Sequence, residues 1–153
     1  MDNNNIFLAV KAAIVGIFGA FGAAFGWLGW LVLAWFGCMV VDYISGSSAA
    51  MKAGQWSSAK ARGGIWHKAG MIVVVIVAAV ADSVLSLVVA SIPGISIEYT
   101  VLLLPMVLVW YILTELGSIL ENAAAMGAPV PEFLIRILAT AKETVEASTD
   151  AEE

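Results

Sequence analysis

Charge is scarce in this chain. Aspartate, glutamate, lysine and arginine make up 12% of its 153 residues, against about 25% in an ordinary soluble domain. Hydrophobic residues make up 61%, and mean hydropathy is +0.96. A soluble domain of this length could not cover so much apolar surface with so few charges, which excludes a soluble enzyme and a disordered tail. The net charge of −5 carries no general affinity for phosphate, so no nucleic-acid partner is expected. Cysteine is almost absent: Cys38 alone can form no intrachain disulfide, and with the single His67 it makes no zinc site. A basic leader is absent too. Met1, Asp2, Asn3, Asn4 and Asn5 precede the first apolar run, so the N-terminus is expected to persist in the mature protein. A small integral membrane protein remains.

Long apolar runs are what the chain has in excess. The first extends over about 36 residues to Val41, too long for one span of about 20 and right for two. The expected fold is therefore all-α, with spans at about 6–25, 27–45, 69–92 and 99–121. If the N-terminal stretch does not form two spans, a three-span form is the alternative. Lys11, in the first span, can snorkel to the headgroups. Gly16, Gly19, Gly22, Gly26 and Gly29 recur at helical spacing there and form a smooth strip for helix packing, or else a place to bend. The turn is expected within Gly22–Gly29. Trp27 and Trp30 suit an interfacial aromatic belt, and Asp42 falls near water at the end of the second span. Pro105 lies inside the fourth predicted span and is expected to kink it.

Residues 46–68 read as the one substantial polar loop. It carries Lys52, Lys60, Arg62 and Lys68 and no acid, which places it in the cytoplasm by the positive-inside rule. Trp56 and Trp66 can rest in the interface while the cations meet anionic lipid. His67 reads as an interfacial histidine, and Ser57-Ser58 as a turn or helix cap. With four spans, both termini are cytoplasmic. After Glu121 the character changes. Phe133, Leu134, Ile137, Leu138, Ala141 and Val145 fall at helical spacing, opposite Glu132, Arg136, Lys142, Glu143 and Glu146. Residues 122–153 thus form a separate segment: an amphipathic helix of about 15 residues, lying on the membrane or on a neighbouring subunit, and an acidic tail from Ser148 expected to be disordered.

Polar groups at bilayer depth are functional candidates. Asp82 falls about 12 residues into the third span, roughly 18 Å deep at 1.5 Å per residue, with Ser83 and Ser86 beside it. Tyr111, Glu115, Ser118 and Asn122 form a second stripe, on the fourth span. No basic residue lies at the depth of Asp82, so it should be protonated, hydrated or hydrogen-bonded. Each stripe either holds helices together within one subunit or faces other copies and becomes the wall of a wet lesion. No phosphate loop, nucleophile elbow or other catalytic constellation occurs, so neither enzyme activity nor a cofactor is expected.

Two blocks of residues carry a resemblance. Asp42-Tyr43-Ile44-Ser45-Gly46 leads into Ser58, Lys60, Gly63-Gly64-Ile65 and Lys68, and the following span reaches Asp82. Later come Trp110-Tyr111-Ile112, Glu115-Leu116, Ser118-Ile119, Glu121-Asn122, Gly127 and Pro129-Val130-Pro131. In order and spacing these resemble the phage-lysis and toxin-secretion holin family of Gram-positive bacteria and their phages, over residues 38–140. The N-terminal Trp/Gly-rich stretch is similar only in character. The resemblance implies a homo-oligomer in the host cytoplasmic membrane that forms lesions, through which an endolysin or large toxin passes without specific binding. It also implies an antiholin as a partner, or an antiholin role for the chain itself. A small ion channel or transporter subunit using Asp82 and Glu115 is the alternative from a different class.

Overall fold

The computed structural model describes residues 3–92 and 101–150, which form four elements: α1 (Asn3–Lys52), α2 (Ser58–Ser91), α3 (Leu103–Ala125) and α4 (Glu132–Asp150). α1 is broken at Gly26, so it comprises two apolar arms, Asn5–Ala24 and Gly26–Lys52. These arms, α2 and α3 are four helices long and apolar enough to cross a membrane. Helix is the expected answer for such segments, because in lipid every backbone N–H and C=O must find its partner within the segment. The all-α, four-span architecture is therefore as predicted. Both halves of the N-terminal stretch qualify by length and composition, which gives four candidate spans rather than three.

The break in α1 is a single residue within the predicted turn region. Gly26 has φ 60° and ψ −144°, a conformation open essentially to glycine alone. Gly22 lies one turn before it, and a Cβ there would meet the Trp30 ring at 2.8 Å. The strip of glycines therefore divides by task. Gly26 makes the break, Gly22 makes room for Trp30, and Gly16 and Gly19 have nothing within 4 Å of where a Cβ would stand. Gly26→Ala should destabilise the detergent-solubilised protein by about 1–3 kcal/mol, read as a lowered thermal midpoint in circular dichroism. Gly37→Ala, at a helical position with open space around it, should change little.

Several boundaries differ from expectation, for local reasons. Residues 46–52 continue α1 and 58–68 open α2, so the non-helical loop shrinks to 53–57. α1 ends on Gly54, where Gln55 N–H donates to the Ala50 carbonyl at 2.9 Å and Gly54 N–H to Met51 at 3.0 Å. α3 ends in the same way on Gly127, with Ala128 N–H donating to Ala123 and Gly127 N–H to Ala124. Both are Schellman closures, which use a residue with positive φ to satisfy the last carbonyls. Ser57 caps α2, its hydroxyl accepting from Lys60 N–H at 3.2 Å, in line with the cap reading. α3 begins at Leu103, not near 99, so Pro105 falls in its first turn. A proline there lacks only an N–H that has no helical partner, and it need not kink the helix. α4 is 19 residues long and includes residues 148–150, which were expected to be disordered. The predicted outer loop at 93–98 lies outside the described residues.

α3 is the hub, packing on α1, α2 and α4. The core is small: Trp35 and Met39 from α1, Met71 and Val75 from α2, and Leu108 from α3, which is fully buried. Tyr111 stacks on Trp35 with ring centroids 6.0 Å apart. The first arm of α1 contributes almost nothing. Most of its large apolar side chains, including Phe7, Leu8, Val15 and Ile17, are exposed.

Candidate functional site

Among the described residues, two charged residues are buried, Asp82 and Glu115, and each sits at a junction between helices. Glu115 belongs to a lock part-way along the bundle. The Lys68 ammonium on α2 lies 2.5 Å from Glu115 Oε2 on α3 and 2.9 Å from Asp42 Oδ2 on α1. Asn122 Nδ2 donates to Asp42 Oδ1 and to Ser45 Oγ, both at 3.1 Å, and the Ser45 hydroxyl donates to the Asp42 carbonyl. Three helices are thus pinned by one lysine and two carboxylates. In a low-dielectric setting such a cluster holds only while it stays closed, because each charge is strongly disfavoured alone.

Helix register explains the meeting. Ten residues separate Asp42 from Lys52, Lys68 from Ser58 and Glu115 from Ala125, the helix ends on the side of the 53–57 loop. At 1.5 Å per residue all three stand roughly 15 Å from those ends. Small residues then permit close approach. A Cβ on Gly46 would lie 3.4 Å from Asn122 Nδ2, and one on Gly64 would lie 3.8 Å from the Tyr43 ring. The two blocks of residues that carry the resemblance are therefore brought together: Asp42, Tyr43, Ser45, Gly46, Gly64 and Lys68 from the first, Glu115 and Asn122 from the second.

Asp82 does something different. It lies 14 residues beyond Lys68 on α2, roughly 21 Å along the helix, where it meets the start of α3. Its Oδ1 accepts from Leu102 N–H at 3.1 Å and Leu103 N–H at 3.0 Å, and its Oδ2 from Leu104 N–H at 2.7 Å. A helix begins with four N–H groups that have no helical partner. Asp82 takes three, and Pro105 at the fourth position has none. The α3 macrodipole adds positive potential at that point. The sequence held no cation for Asp82. Its counter-charge is a helix N-terminus, a hydrogen-bonded solution among those expected.

The remaining predicted residues separate. Ser83 is exposed and donates to the Ala79 carbonyl of its own helix, and Ser86 is exposed. Tyr111, Glu115 and Asn122 turn inward within the chain, and Ser118 lines a cleft between α3 and α4. Of the loop cations, Lys52 donates to the Met126 carbonyl, tying the ends of α1 and α3, and Lys68 is in the lock. Lys60 and Arg62 are exposed near the start of α2. The pairing of Lys68 with Asp42 and Glu115 was not foreseen in the sequence, where Asp42 was placed near water and Lys68 was counted for orientation. The signal was the shared distance from the helix ends, in a chain too poor in charge to leave intramembrane groups unpaired.

Four apolar helices, three of them joined by ionic and capping contacts, define a multi-pass membrane protein. Comparison with known proteins makes the class specific: residues 19–143 match the bacteriophage holin family, and the chain belongs to it. That family is one of non-enzymatic membrane proteins. The chain is also similar to an uncharacterized protein of Halalkalibacterium halodurans, 36% identical over 104 residues that cover 68% of this chain and 72% of that one. No solved structure matches it.

Proposed function

We propose that the chain is a lysis holin of a bacterial cytoplasmic membrane: it accumulates there and assembles with copies of itself into lesions that release an endolysin, or in a toxin locus a large toxin. The observation that carries this reading is the division of the molecule. The second arm of α1, α2 and α3 hold together through the core, the lock and the cap, while the first arm of α1 stays largely uncovered, with Gly16 and Gly19 open. An apolar helix with small residues on an open side suits contact with a second copy. Asp82 and Glu115 are both engaged inside the chain, which favours packing over conduction and weighs against an ion channel or transporter. Lys52, Lys60 and Arg62 support a cytoplasmic loop, with the C-terminal segment on the same side before assembly.

Inducible expression in a bacterial host carrying a cytosolic fluorescent protein tests this. Growth should continue for a fixed delay and then stop abruptly, with loss of membrane potential and escape of the reporter. Ion leakage that never releases the reporter would instead identify a channel. Delay of a co-expressed holin, with no lesion of its own, would identify an antiholin. The double variant Gly16→Leu, Gly19→Leu should shift the onset and weaken cross-linked oligomers, while leaving the melting of the monomer in detergent unchanged. Unaltered onset and oligomers would remove the first arm from the assembly surface.

A further inference from the structure

α4 runs back along α3 and does not leave the bundle. The Trp110 indole N–H donates to Glu146 Oε1 at 3.0 Å, and Lys142 Nζ stands 4.8 Å above the same ring. Ile135, Leu138 and Ala139 face Leu113, Gly117 and Leu120 across a cleft of about 430 Å³. Trp110 precedes the end of α3 at Ala125 by 15 residues, roughly 22 Å of helix. A helix bearing Glu132, Arg136, Lys142, Glu143 and Glu146 is therefore laid along a membrane span far past its end.

The seam is off-centre on α4. At about 100° per residue, Leu138, Ala141, Lys142 and Val145 form the partly buried strip. Phe133 and Ile137 fall on one flank, 60% and 58% exposed. Glu132, Arg136 and Glu143 fall on the other, where Arg136 pairs with Glu132 at 3.0 Å and both side chains are open. A helix resting on a membrane surface would press its whole apolar side into lipid and would have no reason to seat Lys142 and Glu146 on Trp110. A helix surrounded by acyl chains would not carry an open charged flank. One oily flank, one docked seam and one charged flank match a helix at a boundary between hydrocarbon and water inside the membrane.

We infer that α4 is the water-facing wall of the assembled lesion. It docks on α3 at membrane depth, with Glu132, Arg136 and Glu143 toward the aqueous opening and Phe133 and Ile137 toward acyl chains. This rests on the lesion reading above and adds where the water-bearing surface comes from: α4, rather than the stripes of α2 and α3.

The test uses the full-length Cys38→Ala protein, first shown to retain dextran release, in phosphatidylethanolamine/phosphatidylglycerol vesicles loaded with fluorescent dextran. Single Glu143→Cys and Ile137→Cys variants carry a nitrobenzoxadiazole probe, quenched from water by iodide and from the bilayer by lipids brominated at shallow or deep chain positions. As dextran escapes, iodide should quench position 143 several-fold more than position 137. Deep-brominated lipid should do the reverse. Dextran escape with both probes quenched alike by iodide and by shallow bromine would overturn the wall and leave the lesion reading standing. Failure of dextran to escape at any protein density would overturn the lesion reading, and the wall with it.

Discussion

Lys68→Met should be among the most damaging single substitutions in this protein. It removes the one cation held between Asp42 and Glu115 and leaves two carboxylates facing each other across helix junctions. Removing one partner of a buried ion pair costs about 3–5 kcal/mol. Asp42 keeps 18% of its side-chain surface exposed, so the low end of that range applies. The expected results are a strongly lowered unfolding midpoint in detergent and reduced accumulation in membranes. The companion experiment separates charge from shape. Lys68→Met combined with Asp42→Asn and Glu115→Gln removes all three charges together, and neutral replacement of a buried ionic cluster is often harmless. The triple variant should recover most of the lost stability. A single variant that melts like the parent protein would show that the lock contributes nothing.

Asp82→Leu should be comparably severe, for a different reason. It strips the acceptor from three N–H groups at the start of α3. Each buried donor left without a partner costs about 1–3 kcal/mol, and lipid offers no water as a substitute. Asp82→Asn retains one carbonyl oxygen but loses the charge that complements the helix N-terminus, so its effect should be intermediate. The readouts are the melting of dilute monomer in detergent and hydrogen exchange at Leu103 and Leu104, which should accelerate in the leucine variant. Loss of monomer stability identifies a cap within the chain. Normal melting with altered lysis timing and altered cross-linked oligomers would instead place Asp82 at a contact between copies.

Much of the architecture could be read in advance, because lipid imposes so few options. Composition excluded a soluble domain, apolar run length set four spans, and the two motif blocks pointed to the family that the comparison shows. Boundaries were less legible. Gly46, Ser47 and Ser48 look like a loop to a hydropathy count, yet nothing in them breaks a helix until Gly54. Pro105 was given an interior position because the helix start was set four residues early. The lock was hidden for a deeper reason. Lys68 is 26 residues from Asp42 and 47 from Glu115, and one-dimensional pattern says which face a residue shares within its own helix, not which neighbouring helix that face will meet. Register from the helix ends would have placed the three at one depth. Asp82 was harder still, since its partner is backbone and leaves no mark in residue identity.

The Asp82 contact has a consequence for biogenesis. α3 starts with bare amides, and the carboxylate that quiets them is carried by the preceding helix. Neither helix is comfortable in hydrocarbon by itself: one would present an acid, the other an open backbone end. The pair should therefore leave the insertion machinery as a hairpin, α2 waiting at the lateral gate until α3 has been synthesised. Ribosome stalling between the two helices would then trap an intermediate that is still held by the translocon.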